Sequence, residues 1–247
     1  MKILLFGGTT EGRLLACALT QRGHQVTVSV ATPLGAEALA GHFTGEVLTG
    51  RLDRTAMKTL LPTYDLCIDA THPYAREASQ NIRQGAEIAG VPRLRLLRRE
   101  SPLPPGCTVV DSPEEAARFL ENTRGNILLT TGAKELAAFA PLGPQRLYPR
   151  VLPAAESLAA CEALGIPRGH VIAMQGPFSY RLNLALLENF SIRWLVTKDG
   201  GAAGGFEEKA RAARDAQAGL VVLRRPREEG DDYETVLRIC KEMMACR

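Results

Sequence analysis

The sequence predicts an α/β fold: two Rossmann-like domains with mainly parallel sheets and an interdomain cleft. Three observations predict it. Short apolar, β-branched runs alternate with helical stretches along the chain, the rhythm of right-handed βαβ crossovers. Of its 247 residues 45% are hydrophobic but only 5% aromatic, which suits helix-covered sheets better than an antiparallel sandwich. A proline-rich stretch interrupts the rhythm once, before it restarts.

Residues 2–7 form an apolar run ending in glycine, the mark of a buried strand. A helix over 11–22 follows, closed by Gly23, and residues 25–32 alternate as a second strand. A helix near 34–41, a strand near 45–49 and a helix near 53–61 come next. Residues 65–70 read as a buried strand, 74–90 as a helix opened by Pro73, and the stretch after Pro92 as a strand to about 98. These make a first domain, 1–98. Three prolines and a glycine mark 99–106 as the linker. The second domain, 107–247, is expected to hold helices at 112–123, 133–140, 154–163, 179–188, 205–217 and 232–246. Strands at 126–131, 146–151, 170–174, 192–197 and 219–223 alternate with them.

A formal net charge of +3 is too mild to imply nucleic acid, yet leaves room for a locally basic pocket. No run of 18 apolar residues exists, so no membrane span is expected. The opening MKILLFGGTTEG lacks the h-region of a signal peptide, and a cytoplasmic location is expected. The cysteines at 17, 67, 107, 161, 240 and 246 include no C-x-x-C pair, so neither a metal site nor a disulfide framework is expected. A monomer or weak homodimer is expected.

The chemistry sits at strand ends, where open parallel sheets bind ligands. Gly7-Gly8-Thr9-Thr10-Glu11-Gly12 lies between the first strand and first helix. It matches G-x-G-x-x-G except that Thr9 replaces the middle glycine. Its backbone N–H groups and the helix dipole suit a pyrophosphate, with Thr9 and Thr10 as further hydroxyl donors. The second strand ends Ser29-Val-Ala-Thr32 without the acid that would hold an NAD ribose. Thr32 tolerates a 2′-phosphate that Arg51 can pair with, which favours NADPH. The fourth strand ends in Asp69-Ala-Thr71-His72-Pro-Tyr74, placing Thr71, His72 and Tyr74 beside a bound cofactor. In the second half, Lys134 in TTGAK, Arg150, Ser179 in QGPFS, and Lys198, Asp199 and Gly201 in TKDGGAAGG occupy the equivalent positions.

The order GGTTEG, DATHPYA, TTGAK, QGPFS and TKDGGAAGG…EK, closing with Arg225-Pro226, resembles the precorrin-6A reductase family of cobalamin biosynthesis. The likeness runs from residue 3 to about 226. Ala133 and Gly200 stand where serine is common in that pattern, and Arg181 where an acidic residue is expected. The resemblance implies reduction of one ring double bond in precorrin-6A or its cobalt complex, with NADPH as hydride source. It further implies a macrocycle carrying acetates and propionates, met by Lys134, Arg150, Ser179, Lys198 and Gly201. Lys198, Asp199, His72 and Tyr74 are the candidates for a proton donor, without a choice among them. Three alternatives stay open: another NADP-dependent reductase or epimerase, a methyltransferase, and a non-catalytic dinucleotide-binding protein. No tyrosine has a lysine four residues on, which counts against the carbonyl reductases and epimerases that use that pair.

Overall fold

The computed structural model describes residues 1–97, 102–199, 205–225 and 228–245. The chain divides into two compact units, Met1–Arg99 with Pro226–Arg247, and Glu100–Arg225.

The first unit runs β1 (Lys2–Phe6), α1 (Thr10–Gln21), β2 (Gln25–Val30), α2 (Pro33–Glu37), β3 (Glu46–Thr49), α3 (Arg54–Leu60), β4 (Leu66–Asp69), α4 (Arg76–Ala89) and β5 (Arg93–Arg95). Its sheet has the order β3-β2-β1-β4-β5, with every pair parallel. Both faces are covered, so β1 is apolar at successive positions. Ile3 and Leu5 pack with Leu15 and Leu19 of α1 on one face, and Leu4 and Phe6 pack with Met57, Leu61 and Ile82 on the other.

The second unit runs β6 (Thr108–Val110), α5 (Pro113–Glu121), β7 (Asn126–Leu129), β8 (Leu147–Val151), α6 (Ala155–Ala163), β9 (Ile172–Ala173), α7 (Tyr180–Asn189), β10 (Ile192–Lys198), α8 (Phe206–Asp215) and β11 (Gly219–Leu223). Its parallel sheet has the order β6-β11-β10-β7-β8-β9. Alternate residues again serve two faces: Ile127, Leu129 and Val196 pack with Leu120 and Phe139, while Leu128 and Leu195 pack with Leu187 and Phe206.

Three expectations are corrected and one strand is added. The second domain was expected to run to 247, but α9 (Tyr233–Ala245) packs Val236, Leu237 and Cys240 against Leu15 and Leu19 of the first unit. Just before it, Leu97 N donates to Asp231 O and Asp231 N to Arg95 O, both at 2.8 Å, so the returning chain pairs beyond β5. The stretch expected as a helix near 133–140 is a 3-10 helix, Ala133–Leu142, with Pro141 inside it removing one donor. Pro73 does not open α4; it lies in a turn closed by Ala75 N donating to His72 O at 2.8 Å, and the helix starts at Arg76. β6 was not anticipated, because three residues are too few to display alternation.

Candidate active site

The chain leaves β1 for β2 on one side and passes from β4 to β5 on the other, so the strand order reverses between β1 and β4. Ligands of open parallel sheets collect outside the carboxyl ends at such a reversal. Two turns meet there. Thr9 caps α1, accepting from Gly12 N at 3.0 Å and donating its own proton to Ala70 O at 3.0 Å. The Thr9 hydroxyl, expected as a donor to a ligand, is therefore committed to the protein. Thr10 is exposed and Glu11 half-buried in the first turn of α1. Gly12 is buried where α1 crosses β4: a Cβ there would stand 2.8 Å from Ala70 Cβ. Gly8 has φ +138°, and a Cβ on it would lie 3.9 Å from His72 N. Glycine at both positions brings the positive end of the α1 dipole close against the neighbouring turn, a cradle suited to a pyrophosphate.

That neighbouring turn is held by a buried charge. Asp69 is fully buried; its Oδ1 accepts from Thr71 Oγ1 at 2.7 Å and Thr71 N at 3.1 Å. Arg95 Nη1 donates to the same oxygen at 3.0 Å, to Asp69 O at 3.1 Å and to Thr71 O at 2.9 Å. Its Nε donates to Glu228 Oε2 at 2.8 Å, with Nη2 2.6 Å from that oxygen as an ion-pair contact. Asp69 Oδ2 accepts no hydrogen bond among the described residues; Arg93 Nη1 is 3.7 Å away. This network fixes where His72 and Tyr74 emerge, half-buried with ring centroids 5.5 Å apart. The expected cofactor residues Gly7, Gly8, Thr9, Gly12, Thr71 and His72 thus share one sheet end.

Thr32 caps α2, accepting from Gly35 N at 3.2 Å, and is exposed, as is Arg51. No carboxylate ends β2, and the parallel sheet with its Gly-rich turn suits a nicotinamide cofactor.

In the second unit the order reverses between β7 and β10. Lys198, the last residue of β10, places Nζ 2.6 Å from Glu135 Oε1. This ties it to the turn bearing Lys134, which is exposed. Asp199 is buried, with Arg225 Nη2 4.0 Å from Oδ2 and 3.4 Å from its carbonyl oxygen. Both candidate proton donors of this loop therefore face an opposite charge. Arg150, buried on β8, donates from Nη1 to Asn183 Oδ1 at 2.8 Å and lies 4.2 Å over the Phe178 ring. Burial draws its guanidinium pKa down to about 10. Ser179 caps α7 through Leu182 N and joins the Arg150 group, because Asn183 Nδ2 donates to Ser179 O at 2.9 Å. Gly201 lies outside the described residues.

Sequence reasoning missed Asp69, Glu135, Asn183 and Lys209, although Asp69 and Lys209 stand inside quoted motifs. Arg95 and Glu228 carried no local signal. Among the described residues no group of three His, Cys, Asp or Glu side chains is placed to hold a metal. Burial pushes the Cys67 thiol up to about 12 and the Cys240 thiol up to about 11, as expected of packing groups and not nucleophiles.

A family model described as "Precorrin-6x reductase CbiJ/CobK" matches residues 2–241. A cobalt-precorrin-6A reductase of Priestia megaterium is 34% identical over 241 residues, covering 94% of each chain. One of Salmonella typhimurium is 38% identical, over 91% of this chain and 87% of its own. A precorrin-6A reductase of Mycobacterium tuberculosis is 32% identical, over 91% and 89%. A solved structure, "CobK precorrin-6A reductase", superposes with a TM-score of 0.77 at 24% identity over 98% of this chain and 96% of that one, a likeness of fold. With the match spanning both parallel sheets and the turns at their reversals, the chain belongs to the precorrin-6x reductase family, a family of oxidoreductases.

Proposed function

We propose that this chain catalyses NADPH-dependent reduction of one ring double bond of precorrin-6A or its cobalt complex in cobalamin biosynthesis. The observation that carries the reading is the family match over residues 2–241. NADPH in place of NADH is supported by the neutral end of β2 and the exposed Arg51. When bound, the nicotinamide supplies a hydride to one carbon of the double bond. The N-terminal turn of α1 and the backbone of Gly7, Gly8, Thr10 and Glu11 hold the pyrophosphate, while Thr9 acts through its cap and Gly12 through its close approach to β4. Thr32 and Arg51 take the adenosine 2′-phosphate. Thr71 positions, and His72 and Tyr74 border, the nicotinamide side. Lys134, Arg150, Ser179, Lys198 and Gly201 meet the carboxylates and face of the macrocycle. The proton that completes the dihydro product comes from Lys198, Asp199, His72, Tyr74 or water. The location is cytoplasmic and the working form a monomer or weak homodimer; no helix among the described residues is long and apolar enough to cross a membrane.

Anaerobic NADPH oxidation at 340 nm, with precorrin-6A and separately with its cobalt complex, tests the reading. Substrate-dependent oxidation with a dihydro product is expected. NADPH binding without turnover of either form would leave a dinucleotide-binding protein and sink the reductase reading. Within it, Lys198→Ala is expected to lower kcat/KM by about 10- to 100-fold, the scale of one charge-assisted hydrogen bond. The NADPH dissociation constant should stay near that of the wild type. Unchanged turnover removes Lys198 from the site.

A further inference from the structure

We propose that Arg150 and Lys209 together hold one carboxylate of the substrate, which makes Lys209 a specificity-determining contact. The inference rests on the reading of the second unit as the substrate-binding side.

Lys209 is on α8 with only 8% of its surface exposed, and Arg150 on β8 is equally buried at 8%. Neither has a carboxylate within ion-pair distance among the described residues. Among the described residues the Arg150 guanidinium has one hydrogen-bond partner, the neutral amide oxygen of Asn183. The Lys209 side chain has no hydrogen bond or ion pair to any described residue, and its backbone N donates to Gly205 O at 3.3 Å. Phe178, which carries the Arg150 guanidinium on its ring, also lies against the start of α8, its carbonyl oxygen 3.8 Å from where a Cβ on Gly205 would stand. The Arg150 charge opposes that of Lys209, and Glu208 and Asp199 favour it. Asp199 is itself held against Arg225. Burial and the Arg150 charge draw the Lys209 ammonium down to about 8.

Two buried cations that repel one another destabilise the empty protein, since a buried charge without a counter-charge is unfavourable. An anion between them reverses that sign. The geometry is also preorganised. Asn183 Nδ2 donates to Phe178 O at 3.2 Å and to Ser179 O at 2.9 Å, which turns Oδ1 toward Arg150. Phe178 supports the guanidinium by stacking. A planar fork beside a compact ammonium matches the two oxygens of a carboxylate. A cofactor phosphate has related chemistry, and the test separates the two.

The test is anaerobic titration of substrate, and separately of NADPH, into wild type, Lys209→Met and Lys209→Arg, with thermal unfolding of each. The Met variant is expected to bind substrate about 10- to 100-fold more weakly, the scale of one charge-assisted hydrogen bond. Its NADPH affinity should be unchanged, and its Tm equal to or above that of the wild type. Raising the pH through 8 discharges Lys209 in the free wild type, so substrate affinity should fall there; it should stay flat for Lys209→Arg. Substrate affinity within twofold of wild type in the Met variant overturns the pair, and so does a loss confined to NADPH. Wild type that binds neither form of the substrate overturns the functional reading as well.

Discussion

Arg95→Met is expected to lower the stability of the first unit by about 3–5 kcal/mol, the usual loss when one partner of a buried ion pair is removed. Asp69 is fully buried, and without Arg95 its only cationic neighbour among the described residues is Arg93 at 3.7 Å. The substitution also strips the bonds from Arg95 to the backbone oxygens of Asp69 and Thr71 and the link to Glu228. Methionine matches the volume but not the charge, so the effect is electrostatic rather than a cavity. Urea unfolding followed by circular dichroism measures it. NADPH affinity should fall in parallel, because the turn bearing His72 and Tyr74 loses its tether. The double variant Arg95→Met with Asp69→Leu should regain much of the stability, since replacing both partners by apolar groups is far less harmful than orphaning one. A single variant within 1 kcal/mol of wild type would show that Asp69 does not depend on Arg95.

Gly12→Ala is expected to weaken NADPH binding by about tenfold or more and to destabilise the fold. Two effects oppose each other. Alanine in a helix gains up to about 1 kcal/mol over glycine. Against that, the new Cβ would lie 2.8 Å from Ala70 Cβ and 3.2 Å from Thr9 Oγ1. Ala70 Cβ is fixed to the backbone of the sheet and cannot swing away, so α1 itself must shift. Overpacking of this kind costs about 1–3 kcal/mol, which outweighs the propensity gain. In the proposed reading, the shift carries the N–H groups of the turn away from the cofactor pyrophosphate, and one charge-assisted hydrogen bond lost is about tenfold or more in affinity. Gly169→Ala is the control: a Cβ there meets nothing within 4 Å and no positive φ is needed. Fluorescence titration of NADPH into the two variants makes the comparison. Equal affinity for both would mean that the turn of α1 does not hold the cofactor.

Much of the architecture was legible in the sequence because it is written in short-range periodicity. Short apolar runs bounded by turn residues, such as residues 2–6 and 219–223, read as strands covered on both faces, and the turns at their ends carry the polar residues. Glycine at 7, 8 and 12 marked the tight turn before α1, and its close approach to β4 is what the spacing implies. The gathering of Gly8, Thr71 and His72 followed from a parallel sheet that reverses its order beside β1. Only the tertiary structure decided which side chains those turns offer to a ligand and which they spend on the protein. The Thr9 hydroxyl goes to Ala70 O, Lys198 to Glu135 and Asp199 to Arg225. Arg95 joins Asp69 across 26 positions and Glu228 across 133, and α9 returns to the first unit. The physical reason is that periodicity encodes which face a residue takes, through the local geometry of strand and helix. Which partner waits on that face depends on strand order and register, and these are settled by packing the whole chain at once.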